Sequence, residues 1–236
     1  MISAQDSLQR YLFQLPPAFD IGAVFFFAVT GAVVAVKRGY DLVGLFAMSL
    51  ISGLGGALIR DGIFLQNGPP ALTRDWRYLA AVLAGAGVGW ILGLRLERFQ
   101  RVIALIDAVG LGAYGVFGTC LSLAAGLSYP AAVLVGVVNA SGGGLLRDLI
   151  TREEPLLLKP GQLYVLASMM GCIVFILLVL HTPLSTAHAA WAAIGLTFTF
   201  RVLAIAYNWR TRPVTEWRRR RAAPPGAEPP PGDDKN

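Results

Sequence analysis

Long apolar stretches alternate with short polar connections along this chain, and charged residues fall almost wholly in the connections. A helix needs roughly 20 apolar residues to cross about 30 Å of hydrocarbon. Stretches of that order occupy residues 20–36, 42–59, 78–94, 102–123, 130–146, 161–181 and 189–207, which predicts seven transmembrane helices. The second and fifth are able to run on past Arg60 and Arg147. Composition agrees, with 55% hydrophobic against 14% charged residues and a mean hydropathy of +0.59. The expected fold class is an all-α integral membrane protein. The opening residues carry Asp6 and only Arg10, without a basic stretch leading into an apolar one, so no cleavable signal peptide is expected.

Basic residues in the short loops orient the chain. The N-terminal side carries Arg10, Arg60, Arg74 and Arg77. The other side carries Lys37, Arg38, Arg95, Arg98, Arg101, Arg147, Arg152 and Lys159, then Arg210, Arg212 and Arg218 to Arg221. The positive-inside rule therefore places the C-terminus in the cytoplasm and the N-terminus outside. The net charge of +6 is accounted for by these flanks, which face anionic headgroups, so nucleic acid is not an expected partner and membrane lipid is. Tyr207, Trp209 and Trp217 suit the interfacial belt, and the proline-rich segment from Ala222 reads as a disordered tail.

Sliding the sequence against itself reveals a duplication at a constant offset of 87 residues. It brings Asp20 onto Asp107, Gly31 onto Gly118, Gly39 onto Gly126, Gly55-Gly56 onto Gly142-Gly143, and Arg60-Asp61 onto Arg147-Asp148. From Asp20 to Asp61 the register gives nine identities in 42 positions, five of them between Ser52 and Asp61. Each copy holds three spans, an odd number, so the second copy enters the bilayer inverted. The expected organisation is an N-terminal segment (1–18), a first three-helix repeat (19–94), a second (102–181), a seventh helix (189–208) and a basic, then disordered tail (209–236).

Inverted repeats place a binding site or pathway at their interface, commonly where a helix is interrupted. Paired glycines weaken a helix by roughly 1 kcal/mol per residue, which predicts breaks at Gly55-Gly56 in helix two and at Gly142-Gly143-Gly144 in helix five. Carbonyls freed there would line a path, with Ser52 and Asn139 offering further oxygens. Close helix packing is the competing reading of these glycines, and the preferred one for Gly85, Gly89 and Gly93, which suit packing or oligomer contacts. Arg60 and Arg147 would gate access or pair with carboxylates. Asp61 and Asp148 point about 100° away on an α-helix, so Asp20 and Asp107 are the expected partners, with helix N-capping as their alternative role.

Other motifs carry less. Gly110-Leu-Gly-Ala-Tyr-Gly115 matches a dinucleotide fingerprint but lies inside an apolar span without a preceding strand. His181 and His188 have no neighbouring carboxylate or thiol, so no metal site is expected. Glu153-Glu154 reads as a solvated connection, Cys120 and Cys172 as packed thiols, and Arg201 as pairing with a neighbouring helix or marking a shorter span. No set of His, Cys and carboxylate groups converges, so an enzyme is not expected.

The repeated Gly-Gly-x-Leu-x-Arg-Asp segments at 55–61 and 142–148, together with seven spans, resemble the prokaryotic trimeric intracellular cation (TRIC) channel family over residues 19–208. The resemblance implies a homotrimer with a potassium-permeable pore in each subunit, running between the repeats and constricted at glycine kinks in helices two and five. Its functional positions would be Gly55, Gly56, Gly142, Gly143 and Gly144, flanked by Arg60 and Arg147. Ala57 replaces the third glycine in the first copy, which sets the two hinges apart. The expected cargo is the potassium ion itself, with no cofactor and with room for bound lipid. Bacterial relatives have also been described as glycine transporters, so a secondary transporter of a small zwitterion such as glycine is the alternative function.

Overall fold

The computed structural model describes residues 12–66, 68–158 and 163–209. Among them, seven helices are long and apolar enough to cross a membrane: α1 (Ala18–Lys37), α2 (Leu42–Ile59), α3 (Trp76–Gly93), α4 (Leu96–Ala124), α5 (Tyr129–Ile150), α6 (Tyr164–His181) and α7 (Thr186–Ala206). This is the expected all-α membrane architecture. α2 does run past Arg60, where it widens into a π-helix at Arg60–Leu65, and α5 runs past Arg147 to Ile150. Arg10, Lys159 and the tail from Arg210, with Arg212, Trp217, Arg218 to Arg221 and the proline-rich segment, lie outside the described residues.

The duplication is visible in how helices end. Gly39 and Gly126, equivalent across the repeat, have φ of 69° and 89° and terminate α1 and α4. In both, the next residue's N–H bonds back to a carbonyl five residues earlier: Tyr40 to Ala35 at 3.0 Å, and Leu127 to Ser122 at 3.1 Å. The following helices start differently. Asp41 caps α2 by accepting from the Gly44 N–H at 2.8 Å, whereas Pro130 sits in the first turn of α5.

Within the first repeat α1 packs on α2 and α3, within the second α4 packs on α5 and α6, and the repeats meet through α1 against α4 and α2 against α5. α7 lies along α4 and α6. The third-helix glycines work inside the subunit: a Cβ on Gly85, Gly89 or Gly93 would press on Ala28, Ala32 or Val36 of α1. That face seats α3 on α1 and is not available for oligomer contact. The Gly110–Gly115 segment is also a packing device. Its three glycines let Phe27 of α1, Ile194 and Thr197 of α7, and Ser168 and Cys172 of α6 approach α4 closely. Arg201 does not shorten α7; it is buried, with its guanidinium 5.0 Å above the Tyr164 ring.

Candidate functional site

Helices α2 and α5 cross at the duplicated glycines. A Cβ on Gly56 would collide with the Asn139 carbonyl, and one on Gly143, its equivalent, would collide with the Ser52 carbonyl. A Cβ on Gly55 would come 3.2 Å from Gly143 Cα, and one on Gly142 would come 3.1 Å from Gly56 Cα. The two backbones thus touch directly, each glycine pair facing the other. Both helices remain α-helical through this crossing. The expected interruption, with unwound carbonyls, is therefore corrected: the glycines remove side-chain bulk, and the close packing this allows keeps the helical hydrogen bonds intact. Gly144 stands apart, since a Cβ there meets only the Arg147 guanidinium at 3.7 Å, in keeping with an alanine, Ala57, at the equivalent position.

Ser52 and Asn139 flank the crossing, at equivalent positions on the two helices. Both are fully buried, and neither Ser52 Oγ nor Asn139 Oδ1 has a hydrogen-bond partner within the protein. Each packs against a glycine of its own repeat, Ser52 on Gly31 and Asn139 on Gly118. Asn139 Nδ2 donates to the Tyr114 carbonyl at 2.7 Å, which leaves Oδ1 as the unbonded acceptor.

Two charge clusters bracket this region. In the first, Arg60 is 0% exposed; Nη1 and Nη2 donate to Asp20 Oδ1 and Oδ2 at 3.0 and 3.1 Å, and Nε donates to Asp61 Oδ1 at 2.7 Å. Tyr78 Oη donates to Asp20 Oδ2 at 2.8 Å, and the Phe117 ring lies 5.4 Å from Arg60 Cζ. In the second, Arg147 Nε donates to Asp148 Oδ1 at 2.9 Å, and Nη1 donates to Thr30 Oγ1 at 3.2 Å. Asp107 lies near Tyr164, in the field of both Arg147 and Arg201. Among the described residues, the two-pronged Asp20–Arg60 bridge has no counterpart at Asp107.

Positions 30 and 117 are equivalent, so each arginine crosses the repeat boundary to the same site of the opposite copy. It meets a hydroxyl in one case and an aromatic face in the other. Two sequence expectations change here. Asp61 and Asp148 do bind their neighbouring arginines, because the long guanidinium side chain folds back along the helix and the turn at Arg60 is a wider π turn. Neither Asp20 nor Asp107 is an N-cap; Asp20 lies in the first turn of α1, bonded to Arg60, and Asp107 lies deep within α4. Tyr78 and Tyr164 give no signal singly, because a tyrosine in an apolar span reads as packing. Their separation of 86, one short of the repeat offset, is the signal that finds them.

Comparison with known proteins gives this geometry a setting. A family model described as "Glycine transporter" matches residues 17–93 and again 104–180, the same 87-residue spacing as the internal repeat. The chain belongs to this family. A membrane protein of the UPF0126 group from Deinococcus radiodurans is 34% identical over 178 residues, covering 75% of this chain and 82% of that protein. The UPF0126 inner membrane protein YadS of Escherichia coli K12 is 28% identical, covering 82% and 92%. The resemblance to prokaryotic TRIC channels is borne out structurally. The TRIC trimeric intracellular cation channel orthologue from Rhodobacter sphaeroides is 30% identical, with a TM-score of 0.70 over 80% of this chain and 96% of that one. A second solved TRIC cation channel gives 28% identity and a TM-score of 0.73 over 85% and 97%.

Proposed function

We propose that this chain forms a passive monovalent-cation channel, permeable to potassium, with one path per subunit between the two repeats at the α2–α5 crossing. The observation that carries the proposal is the pair of buried oxygens, Ser52 Oγ and Asn139 Oδ1, that lack protein partners at equivalent points beside the crossing. A buried polar atom left unbonded is costly away from water, and a path bringing water or a dehydrating cation to these oxygens removes that cost. The arginines do not oppose cation passage. Arg60 is matched by two carboxylates, Asp20 and Asp61, and Arg147 is paired with Asp148. Likeness to proteins described as TRIC cation channels supports the same reading.

The crossing as described is shut, backbone against backbone, so conduction requires α2 and α5 to part. Gly55, Gly56, Gly142 and Gly143 then act as the contact that opens. A homotrimer in a bacterial inner membrane, with the N-terminus outside and lipid around it, completes the proposal. It is supported by the loop charges, by the trimeric description of the Rhodobacter relative and by the inner-membrane description of YadS.

A second reading, a carrier for glycine, is favoured by the description of the family model. Purified protein in planar bilayers under a potassium gradient separates the two. Unitary currents reversing near the potassium potential establish the channel. Absence of current together with saturable glycine uptake into vesicles establishes the carrier and refutes the channel.

A further inference from the structure

Equivalent residues that touch each other must straddle the axis relating the repeats. Phe27 and Tyr114 are such a pair. They are 87 residues apart, both fully buried, and stacked with ring centroids 5.4 Å apart at 20°. The glycine crossing lies across the same boundary and is matched side for side. Leu146 and Ile59, themselves equivalent, abut Gly55 and Gly142 in turn. Within this stacked pair the two partners differ by one polar atom. Tyr114 carries a hydroxyl, which donates to the Gly53 carbonyl of α2, and Phe27 carries none.

The backbone of Tyr114 is used as well, because its carbonyl accepts from Asn139 Nδ2 of α5. The corresponding link on the other side would run from Ser52 to the Phe27 carbonyl. Serine is too short to make it, and Ser52 Oγ is left without a protein partner. α4 therefore holds both crossing helices by hydrogen bonds through one residue, whereas α1 holds them at these equivalent points by apolar packing alone.

We infer that the Tyr114 hydroxyl is a latch that holds α2 at Gly53 against α4 and α5, and so sets how often the α2–α5 crossing opens. The inference rests on the channel reading for its functional consequence but not for its structural one. Movement of α2 away from α4 and α5 breaks the Tyr114–Gly53 bond, whereas the equivalent Phe27 of α1 has no hydroxyl and adds no such bond at the crossing. Tyr114 acts as a positioning residue, since its hydroxyl is bonded to the helix backbone and leaves the Ser52 and Asn139 oxygens untouched.

The test is Tyr114→Phe, which removes one oxygen and leaves the aromatic stack that Phe27 already shows to be tolerated. Hydrogen bonds between membrane helices are modest, so the open probability should rise about threefold to twentyfold. Unitary conductance should stay unchanged, because the path lining is the same. Hydrogen exchange across the α2 segment 52–59, measured in nanodiscs, should quicken in parallel. If neither open probability nor exchange changes, the latch is overturned; a changed unitary conductance overturns it too, by making Tyr114 part of the path. Faster exchange with no current from wild type or variant upholds the latch and refutes the channel instead.

Discussion

Replacing Arg60 by methionine is the sharpest test of the first charge cluster. The substitution keeps a long flexible side chain and removes the guanidinium, leaving the fully buried Asp20 carboxylate with only the Tyr78 hydroxyl, at 2.8 Å. Removing one partner of a buried ion pair costs about 3–5 kcal/mol, because the remaining charge is neither hydrated nor compensated. At roughly 2–4 °C per kcal/mol for a chain of this size, the melting temperature should fall by about 6–20 °C. Cys120 and Cys172 supply the assay, since both thiols are buried and free and would react with a thiol-reactive dye only on unfolding. Adding Asp20→Asn to Arg60→Met should recover most of the loss, because the uncompensated charge is then gone. Arg147→Met should cost less, about 1.5–3 kcal/mol, because the Asp148 side chain it leaves unpaired is 8% exposed, where that of Asp20 is 0% exposed. Asp148 keeps the Leu156 N–H at 3.2 Å, and Asp107 keeps the field of Arg201. The reasoning fails if Arg60→Met melts within about 2 °C of wild type, or if the double variant is no more stable than Arg60→Met alone.

Three further outcomes follow from the same geometry. Gly56→Ala and Gly143→Ala should each destabilise by about 1–3 kcal/mol in the dye melt, since the new methyl meets the Asn139 or Ser52 carbonyl, whereas Gly87→Ala, with nothing within 4 Å, should stabilise by up to about 1 kcal/mol; equal effects at all three would deny the crossing. Thr30→Val should cost about 1 kcal/mol by removing the Arg147 contact with the first repeat, and a double-mutant cycle with Arg147→Met should show coupling between them. Ser52→Ala removes a hydroxyl that bonds to nothing in the protein, so stability should hold or rise while unitary conductance falls; a conductance equal to wild type would take Ser52 out of the path.

Hydropathy was enough to place the seven helices, because a bilayer demands apolar length and little else. The repeat register went further and named Asp20, Arg60, Asp61 and their equivalents, since rare charges in hydrocarbon stand out against any apolar background. It failed where backbone conformation decides the outcome. Paired glycines read equally as a broken helix or as a close approach, and only the presence of the opposite helix, with Asn139 and Ser52 carbonyls at contact, distinguishes the two. It also fails for Asp61, because the 100° separation from Arg60 holds for a regular α-turn, which the chain abandons at Arg60. Tyr114 was hidden inside a glycine-rich stretch whose spacing reflects three neighbouring helices, and a single sequence does not show which neighbour each glycine meets.

The glycine crossing also bears on ancestry. Residue 55 of one copy meets 143, and residue 142 meets 56, which is the reciprocity of a two-fold dimer interface written into one chain. A half-length ancestor carrying one glycine pair would have met an upside-down twin through the same contact. Fusion then freed each copy to diverge wherever the contact is made by side chains. Phe27 could part company with Tyr114, and Ser52 with Asn139, but a contact made of bare backbone leaves each copy no substitute for glycine.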